Sequence, residues 1–221
     1  MKITNEGIAV IESDTHICKW IQESGRLDHD QNLLPRIAKY ISNGDTVIDV
    51  GAYVGDHTIC YSCLVGGHGK VLAFEPNTEA FECLQHNLSQ SKNTQCLRMA
   101  LGCSTGSASI DDSCSNRGMA HLTQGNDFEV STLDHLSLDR LNFMKIDCEG
   151  FELNVLQGGE QTIRKFMPTM LIEINDATLG RYAISRNDIF MLLHSYGYRY
   201  RNVYRGRSLN GSQLDVICTP A

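Results

Sequence analysis

The sequence has no Pro- or Ser-rich linker and no apolar run long enough to span a bilayer. Without a linker, its 221 residues, 42% of them hydrophobic, are expected to form one substantial domain with a short N-terminal addition. Nothing in it resembles a signal peptide, and its nine cysteines are scattered and odd in number. These features predict a protein of the reducing cytoplasm without a membrane partner.

An excess of positive charge is also missing. The formal net charge of −7 provides no general attraction to nucleic acid or to an anionic membrane. We therefore expect no nucleic-acid partner, and polyanionic substrates are disfavoured.

Recognisable metal-binding patterns are absent from the sequence as well. Cys60 and Cys63 form a CxxC, but no second CxxC and no His pair accompanies it. The two thiols are better explained as apolar residues on one helix face. None of the eight histidines recurs at an HxxxH spacing, so no metal ligand is assigned from these residues.

What the sequence does contain is an alternation of strand and helix patterns. Five short apolar segments are typical of strands buried on both faces: Asp45–Gly51, Lys70–Pro76, Gln95–Gly102, Asn142–Gly150 and Thr169–Asp176. Helical patterns follow at Asn77–Ser91, with Asn77 as N-cap, at Glu152–Phe166 and at Arg186–Tyr196. This alternation predicts parallel crossovers and an open α/β sheet.

The segment Ser104–Asp134 departs from the alternation because it is rich in Ser, Gly, Asp and Asn. Its strand-like pieces, Ala108–Asp111 and Phe128–Ser131, predict a hairpin or a mobile insertion at a place suited to a substrate lid.

Both ends of the chain also depart from the alternation of strands and helices. Asn210–Gly211 predicts a hairpin between strands Tyr198–Tyr204 and Gln213–Cys218, which makes the last strand antiparallel. Residues 1–44 are expected to form a helical cap with an amphipathic helix around Asn32–Ile41, and residues 45–221 the ligand-binding domain.

The glycine turn in VIDVGAYVGDHT (Val47–Thr58) indicates a ligand site. Ligands of open α/β sheets bind at the carboxyl ends of strands where the strand order reverses, which places Asp49, Gly51 and Gly55 at the site. Tyr53 stands where a dinucleotide motif needs its second glycine, and its side chain would obstruct a pyrophosphate. No Lys-Ser or Lys-Thr follows as a P-loop requires, so a cofactor without phosphate remains.

The end of the next strand, FEPN, supplies an acidic residue for a ribose. Glu75 can accept hydrogen bonds from two ribose hydroxyls. A ribose without phosphate predicts S-adenosylmethionine. The residues assigned to this cofactor are Asp49, Gly51, Ala52, Tyr53, Gly55, Thr58, Glu75, Pro76, Asn77, Ala100 and Asp147.

Four stretches in order make the chain resemble the FkbM-type methyltransferases: VIDVGAYVGDHT, AFEPN, STLDHL and MKIDCEGFELNVLQGG. The resemblance runs from about Gly44 to Asp176, and the last motif is the most specific. It implies a class I Rossmann-like methyltransferase fold, with a mostly parallel seven-stranded sheet and helices on both faces. It also implies S-adenosylmethionine-dependent O-methylation of a hydroxyl, often on a sugar or natural product, without identifying the acceptor.

Methyl transfer to an alcohol requires a group that accepts the alcohol's proton. In KIDCEG, Lys145, Asp147 and Glu149 alternate along one predicted strand and so share a face. Asp147 is expected to hold the cofactor's ammonium, to accept the proton, or both, and Glu149 is the other candidate base. Lys145 is expected to be structural, paired with Asp49 or Glu173.

A Mg²⁺ site is a less favoured alternative. Asp147, Glu173 and Asn175 offer an oxygen ligand set similar to that of catechol-type O-methyltransferases. The spacing in IEIND differs from the catechol pattern, and a Lys145–Glu173 pair would remove one ligand.

Two alternatives from other classes remain open. One is a nicotinamide-linked oxidoreductase on a similar sheet, which Tyr53 opposes. The other is a catalytically inactive Rossmann-like binding protein, which the intact acidic residues oppose. His57 and His121 are treated as peripheral to the site.

Overall fold

The computed structural model describes residues 1–111, 121–204 and 206–221. In chain order the strands are Lys2–Ile3 (β1), Ala9–Val10 (β2), Thr46–Val50 (β3), Lys70–Phe74 (β4), Thr94–Leu97 (β5), Met99–Leu101 (β6), Gly106–Asp111 (β7), His121–Ser131 (β8), Phe143–Ile146 (β9), Thr169–Asn175 (β10), Tyr198–Asn202 (β11) and Gln213–Pro220 (β12). The α-helices are Ile17–Ser24 (α1), Leu34–Ile37 (α2), Thr58–Val65 (α3), Thr78–Asn87 (α4), Glu152–Gln157 (α5), Glu160–Phe166 (α6), Asp176–Gly180 (α7) and Arg186–Ser195 (α8). No helix among these is long and apolar enough to cross a bilayer.

The main sheet has seven strands in the order β11-β12-β10-β9-β3-β4-β5. β12 runs antiparallel to both of its neighbours, β11 and β10. The remaining strands, from β10 through β9, β3 and β4 to β5, are parallel to one another. The predicted mostly parallel sheet with an antiparallel last strand is confirmed.

Alternate residues of the sheet pack against different helix layers. Ile48 and Ile172 belong to the core that α5, α6, α7 and α8 cover, whereas Val47 and Leu171 belong to the core that α2 and α3 cover. All four are buried. Because both faces are covered, these strands are apolar over most of their length, and the predicted helices on both faces are confirmed.

Two predicted elements are each divided in the structure. The predicted strand Gln95–Gly102 is wrong, because β5 ends at Leu97 and β6 pairs with β8 in a second sheet instead. The predicted single helix Glu152–Phe166 is also wrong, because α5 and α6 are separated at Gly158 and Gly159. A Cβ at Gly158 would lie 1.9 Å from the carbonyl oxygen of Gly102, so this glycine allows a close contact between the helix end and the chain that follows β6.

The second sheet has the order β6-β8-β7. β7 and β8 form the antiparallel pair predicted for the Ser/Gly-rich segment, and both are longer than predicted. Residues 112–120 of that segment lie outside the described residues, so the substrate lid stays a prediction.

The N-terminal part differs from the predicted amphipathic helix. Instead of a helix around Asn32–Ile41, the structure has the short α2, with Pro35 in its first turn, followed by a 3₁₀ turn at Ala38–Tyr40. The unpredicted α1 packs Cys18 and Ile21 against the turn after β3 and against α4. The division into a cap of residues 1–44 and a domain of residues 45–221 remains a prediction.

Candidate active site

A cavity of about 710 Å³ lies at the carboxyl ends of β3, β4, β9 and β10. The chain proceeds from β3 to β4 on one side of the sheet and from β9 to β10 on the other, so the strand order reverses between β3 and β9. This crevice is where open α/β sheets bind ligands. Residues of β6, β7, β8 and β12 and of the N-terminal segment 16–33 also line the cavity.

Seven of the residues predicted to bind cofactor line the cavity: Gly51, Tyr53, Glu75, Pro76, Asn77, Ala100 and Asp147. Glu149, one of the predicted bases, lines it too. The other four predicted residues, Asp49, Ala52, Gly55 and Thr58, are not among the lining residues.

Asp49 and Thr58 lie beneath the cavity wall and contact each other. The fully buried Asp49 accepts a hydrogen bond from Thr58 Oγ1 at 2.7 Å through its Oδ2. The contact joins β3 to the start of α3. Both side chains therefore support the turn between them rather than facing the cavity.

The glycines of this turn accommodate close packing. Gly51 has φ +81°, and a Cβ there would lie 1.8 Å from the carbonyl oxygen of Asp147. Gly55 has φ +93°, and a Cβ there would lie 2.5 Å from Leu88 Cδ2. Glycine at both positions is thus explained by backbone conformation and by packing within the protein.

Glu75 is held in a fixed orientation at the end of β4. Its Oε2 accepts from the Tyr53 amide at 2.9 Å and its Oε1 from the Asn77 amide at 2.8 Å. Asn77 in turn caps α4 by accepting from the Ala80 amide at 3.0 Å, as its predicted N-cap role requires. Burial raises the pKa of Glu75 to about 7.

Tyr53 joins the glycine turn to α1. Its backbone has φ +48°, and its hydroxyl lies 3.6 Å from the Sγ of Cys18. The amide of Cys18 donates to Asp14 Oδ2 at 2.7 Å, which anchors the first turn of α1. The glycine turn and the N-terminal segment therefore form adjoining parts of one wall.

A group of carboxylates gathers at the ends of β9 and β10. Asp147, Glu149 and Glu173 can each bring one oxygen atom within 4.8 Å of the others. The charge of Asp147, together with burial, raises the pKa of Glu173 to about 9. Three carboxyl groups this close repel one another when ionised, so the group is neutralised partly by bound protons and partly by a nearby cation.

Lys145 is the cation that pairs with Asp147, one of these three carboxyl groups. Its Nζ lies 2.9 Å from Asp147 Oδ2 and 3.9 Å from Asp49 Oδ1, so the predicted pairing with Asp49 is present. The alternative pairing with Glu173 is not, since Glu173 accepts from Gln213 Nε2 at 2.8 Å. Although burial opposes ionisation, Lys145 lowers the pKa of Asp147 below its usual range.

Glu149 lies in a turn, because β9 ends at Ile146 and Glu149 has φ +56°. The prediction that Lys145, Asp147 and Glu149 alternate along one strand is therefore wrong, since Asp147 and Glu149 both follow the end of β9. The buried Glu152 shapes the turn by accepting from the amides of Cys148 at 3.1 Å and Gly150 at 3.0 Å. Sequence reasoning missed this residue, although an acidic side chain in the first turn of a helix is favoured by the free backbone amides there.

The environment of Glu149 differs from that of Asp147. Its Oε2 is buried and has no hydrogen-bond partner among the described residues. Burial and the charge of Asp147 raise its pKa to about 8. One carboxyl is thus held ionised while its neighbour exchanges its proton near neutral pH.

The predicted Mg²⁺ ligand set changes in the structure. Asn175 Oδ1 accepts from the Ala177 amide at 3.0 Å and caps α7, so its oxygen is already engaged. Glu149 takes its place beside Asp147 and Glu173 as a potential oxygen ligand.

Several cavity residues were not predicted. The N-terminal segment contributes His16, Trp20 and His29, and the turn after Gly55 contributes Asp56 and His57. His57, treated above as peripheral, is only 8% exposed, and burial lowers its pKa to about 3. His121 is not among the lining residues. The GDHT sequence beside the glycine turn could have drawn attention to His57, whereas no local pattern marks the N-terminal residues.

Comparison with known protein families shows to which family a chain with this site belongs. The model of the methyltransferase FkbM domain matches residues 49–200. The chain belongs to the FkbM methyltransferase family. As an FkbM-family chain it is grouped with methyltransferases and not with the nicotinamide-linked oxidoreductases that its sheet alone left open.

The FkbM-family chain is 28% identical over 137 residues to the hexuronic acid methyltransferase AglP of Haloferax volcanii. That match covers 58% of this chain and 56% of AglP, so the chain matches about half the length of this curated relative.

Solved structures share the fold. A methyltransferase FkbM from Methylobacillus flagellatus superposes with a TM-score of 0.56 at 17% identity, over 80% of this chain and 44% of that chain. A precorrin-6y C5,15-methyltransferase from Geobacter metallireducens has a TM-score of 0.53 at 12% identity, over 100% of this chain and 98% of that chain. At these identities the likeness shows the fold alone, and the predicted class I methyltransferase fold is confirmed.

Proposed function

We propose that this chain transfers the methyl group of S-adenosylmethionine to a hydroxyl oxygen of a sugar or natural-product acceptor. One observation carries the proposal: a single cavity joins the fixed carboxylate of Glu75 to the group Asp147, Glu149 and Glu173. The family match supports methyl transfer, and the hexuronic acid named for AglP supports a sugar acceptor.

The residues on the β4 side of the cavity suit an adenosine. Each oxygen of Glu75 accepts one amide hydrogen bond, which leaves it a second lone pair for a ribose hydroxyl. Phe74, Met99 and Leu101 provide apolar surface for a base. Asp147, held ionised by Lys145, suits the cofactor's ammonium group. When bound, the cofactor supplies an electrophilic methyl group on a sulfonium.

The proton of the acceptor hydroxyl needs a base, and Glu149 is the better of the two predicted candidates. Its pKa of about 8 is close to a working pH, and its buried Oε2 has no partner among the described residues. Asp147 is the weaker base because its ion pair with Lys145 favours the ionised form. We therefore assign proton removal to Glu149 and cofactor binding to Asp147.

A thermal-shift panel with S-adenosylmethionine, S-adenosylhomocysteine, NAD and NADP tests the cofactor. The first two should raise the melting temperature, because a ligand that binds only the folded state stabilises it, and the nicotinamide cofactors should not. A radiolabelled methyl-transfer screen over sugars, glycans and small alcohols then tests the reaction. Binding of the cofactor without transfer to any hydroxyl compound would favour the inactive binding protein.

The same screen, repeated with chelator and then with added Mg²⁺, tests the metal alternative. Inhibition by chelator and recovery with Mg²⁺ would assign Asp147, Glu149 and Glu173 to a metal ion. Equal rates with and without chelator would leave Glu149 as the proton acceptor.

A further inference from the structure

We propose that the acceptor binds in the half of the cavity between β10, β12 and the N-terminal segment 16–33, and that this half selects an uncharged saccharide ring stacked on Trp20. The inference rests on the proposed methyl transfer and specifies its acceptor.

The strand order divides the cavity. Gly51 and Asp147 follow the two central strands, β3 and β9. On the β4 side the wall contains Glu75 and the apolar residues that suit the adenosine. On the other side it contains Glu173 from β10 and Asp215 from β12. A cofactor bound through Glu75 and Asp147 leaves the β10–β12 side for the second substrate.

The N-terminal segment crosses the cavity, because Trp20 packs on the core beside the turn after β3 and Leu33 belongs to the core that includes Ile217 of β12. Trp20 of α1 is half-buried and meets the ring of His29 edge to face, with ring centroids 5.2 Å apart and planes at 82°. Both side chains line the cavity. An indole offers a flat apolar face to the C–H bonds of a sugar ring, while nearby polar groups bind its hydroxyls.

Polar groups suited to sugar hydroxyls line the cavity at β10 and β12. Asn175, Gln213 and Glu173 line the cavity, and the Glu173 carboxyl is oriented by its hydrogen bond from Gln213. An amide can donate and accept, and a carboxyl can accept, so this wall matches the mixed donors and acceptors of a polyol.

The charge of this half disfavours an acidic sugar. Its walls carry Asp30 and Asp215 in addition to Asp147. The lysine in the wall, Lys145, is already paired with Asp147 and Asp49. A uronate carboxylate would therefore add a like charge without gaining a cationic partner there.

Intrinsic fluorescence provides a direct binding test, because Trp20 is the one tryptophan of the chain. The protein saturated with S-adenosylhomocysteine is titrated with matched pairs, methyl glucoside against methyl glucuronide and methyl galactoside against methyl galacturonide. The neutral member of at least one pair should change Trp20 emission and bind about tenfold or more tightly than its uronate, given the cost of like-charge contact. Uronates that bind equally well or better, or no response to any neutral sugar, would overturn the proposal.

Variants of Trp20 distinguish an effect on acceptor binding from an effect on cofactor binding. For the best neutral acceptor, Trp20→Leu should raise KM about tenfold, and Trp20→Phe should recover part of the loss because it restores a ring face. The dissociation constant of S-adenosylhomocysteine, measured by calorimetry, should stay within about twofold for both variants. Phe190→Leu is the control, since Phe190 of α8 stacks on Tyr200 of β11 and is not among the lining residues.

The possible failures can be told apart. If Trp20→Leu weakens S-adenosylhomocysteine and leaves the acceptor KM unchanged, Trp20 belongs to the cofactor site and the inference is wrong while methyl transfer stands. If no hydroxyl compound is methylated although the cofactor binds, the proposed function itself fails.

Discussion

At the scale of single residues, two carboxyl groups two positions apart differ because of what surrounds them. Lys145 lies 2.9 Å from Asp147 and keeps it ionised, whereas Glu149 turns away from the strand into a half-buried position that favours its protonated form. This difference assigns Asp147 to binding a cation and Glu149 to exchanging a proton.

Glu149→Gln should therefore lower turnover by roughly 10²–10⁴ while the cofactor's affinity barely changes, because the amide keeps the size of the side chain but cannot accept the proton. Steady-state kinetics together with calorimetry measure both quantities. Asp147→Asn should instead weaken binding and turnover together, and Glu160→Gln, an exposed change on α6, should affect neither. If Glu149→Gln turns over like the parent, another acceptor takes the proton.

A second residue-scale prediction concerns Glu75. Glu75→Ala should weaken S-adenosylmethionine binding by about 1.5–3 kcal/mol, the range for hydrogen bonds to a charged group. Glu75→Gln should lose less, because one oxygen acceptor remains, and it preserves more of the contact with the Tyr53 and Asn77 amides. Calorimetric titration compares these variants with Glu82→Gln, an exposed change on α4. Affinities equal to that control would remove Glu75 from the ribose site.

At the scale of elements, the break between α5 and α6 is a packing feature. Periodicity favours one helix over Glu152–Phe166, yet the amide of Asp134 bonds to the carbonyl of Gly158 at 3.0 Å, and Gly102 lies against the same glycine. The break thus connects the helices to the segment after β6 and to the turn after β8.

Gly158→Ala should destabilise the fold by about 1–3 kcal/mol, the range for overpacking, even though alanine is the better helix former. Gly180→Ala is the matched control, because an added Cβ at that helical glycine meets no atom within 4 Å. Chemical denaturation of both variants gives the two free energies of unfolding. A Gly158→Ala variant as stable as the Gly180→Ala variant would mean that the contact with Gly102 relaxes at no cost.

At the scale of the whole molecule, the carboxylate group makes stability depend on pH. Glu149 and Glu173 have pKa values of about 8 and about 9 when folded, while an unfolded Glu titrates near 4.5. Between these values the folded chain holds protons that the unfolded chain has released, so raising the pH favours unfolding. His57 is neutral in both states above about pH 6.5 and adds nothing in that range.

The melting temperature should accordingly fall between about pH 6.5 and 8.5. Glu149→Gln combined with Glu173→Gln should reduce that fall, because the amides cannot ionise, and the part that remains comes from Glu75 and Asp56, whose pKa values are about 7. Differential scanning fluorimetry across the range compares parent and variant. A parent whose melting temperature rises over this interval would contradict the assigned pKa values.

Much of the fold could be predicted because it is encoded locally. Apolar runs in Thr46–Val50 and Lys70–Phe74 reflect burial on both faces, and Asn210–Gly211 marked the final hairpin. The pairing of strands that are distant in the chain could not be predicted as well from the sequence. Met99–Leu101 reads as a continuation of the preceding strand, and only its pairing with β8 takes it into another sheet.

The sequence by itself determined the α/β class, the glycine turn and the cofactor side of the cavity, since Gly51, Glu75 and Asp147 each end a strand whose apolar pattern is visible in the chain. Only the tertiary structure decided which residues line the rest of the cavity. Trp20 reaches the cavity because α1 packs on the turn after β3, and Glu149 faces it because Glu152 holds its turn. The amide oxygen of Asn175 caps α7, which engages the atom predicted to bind Mg²⁺. The physical reason is that strand periodicity is set by neighbours along the chain, whereas the surroundings of a side chain depend on elements that meet it only after folding.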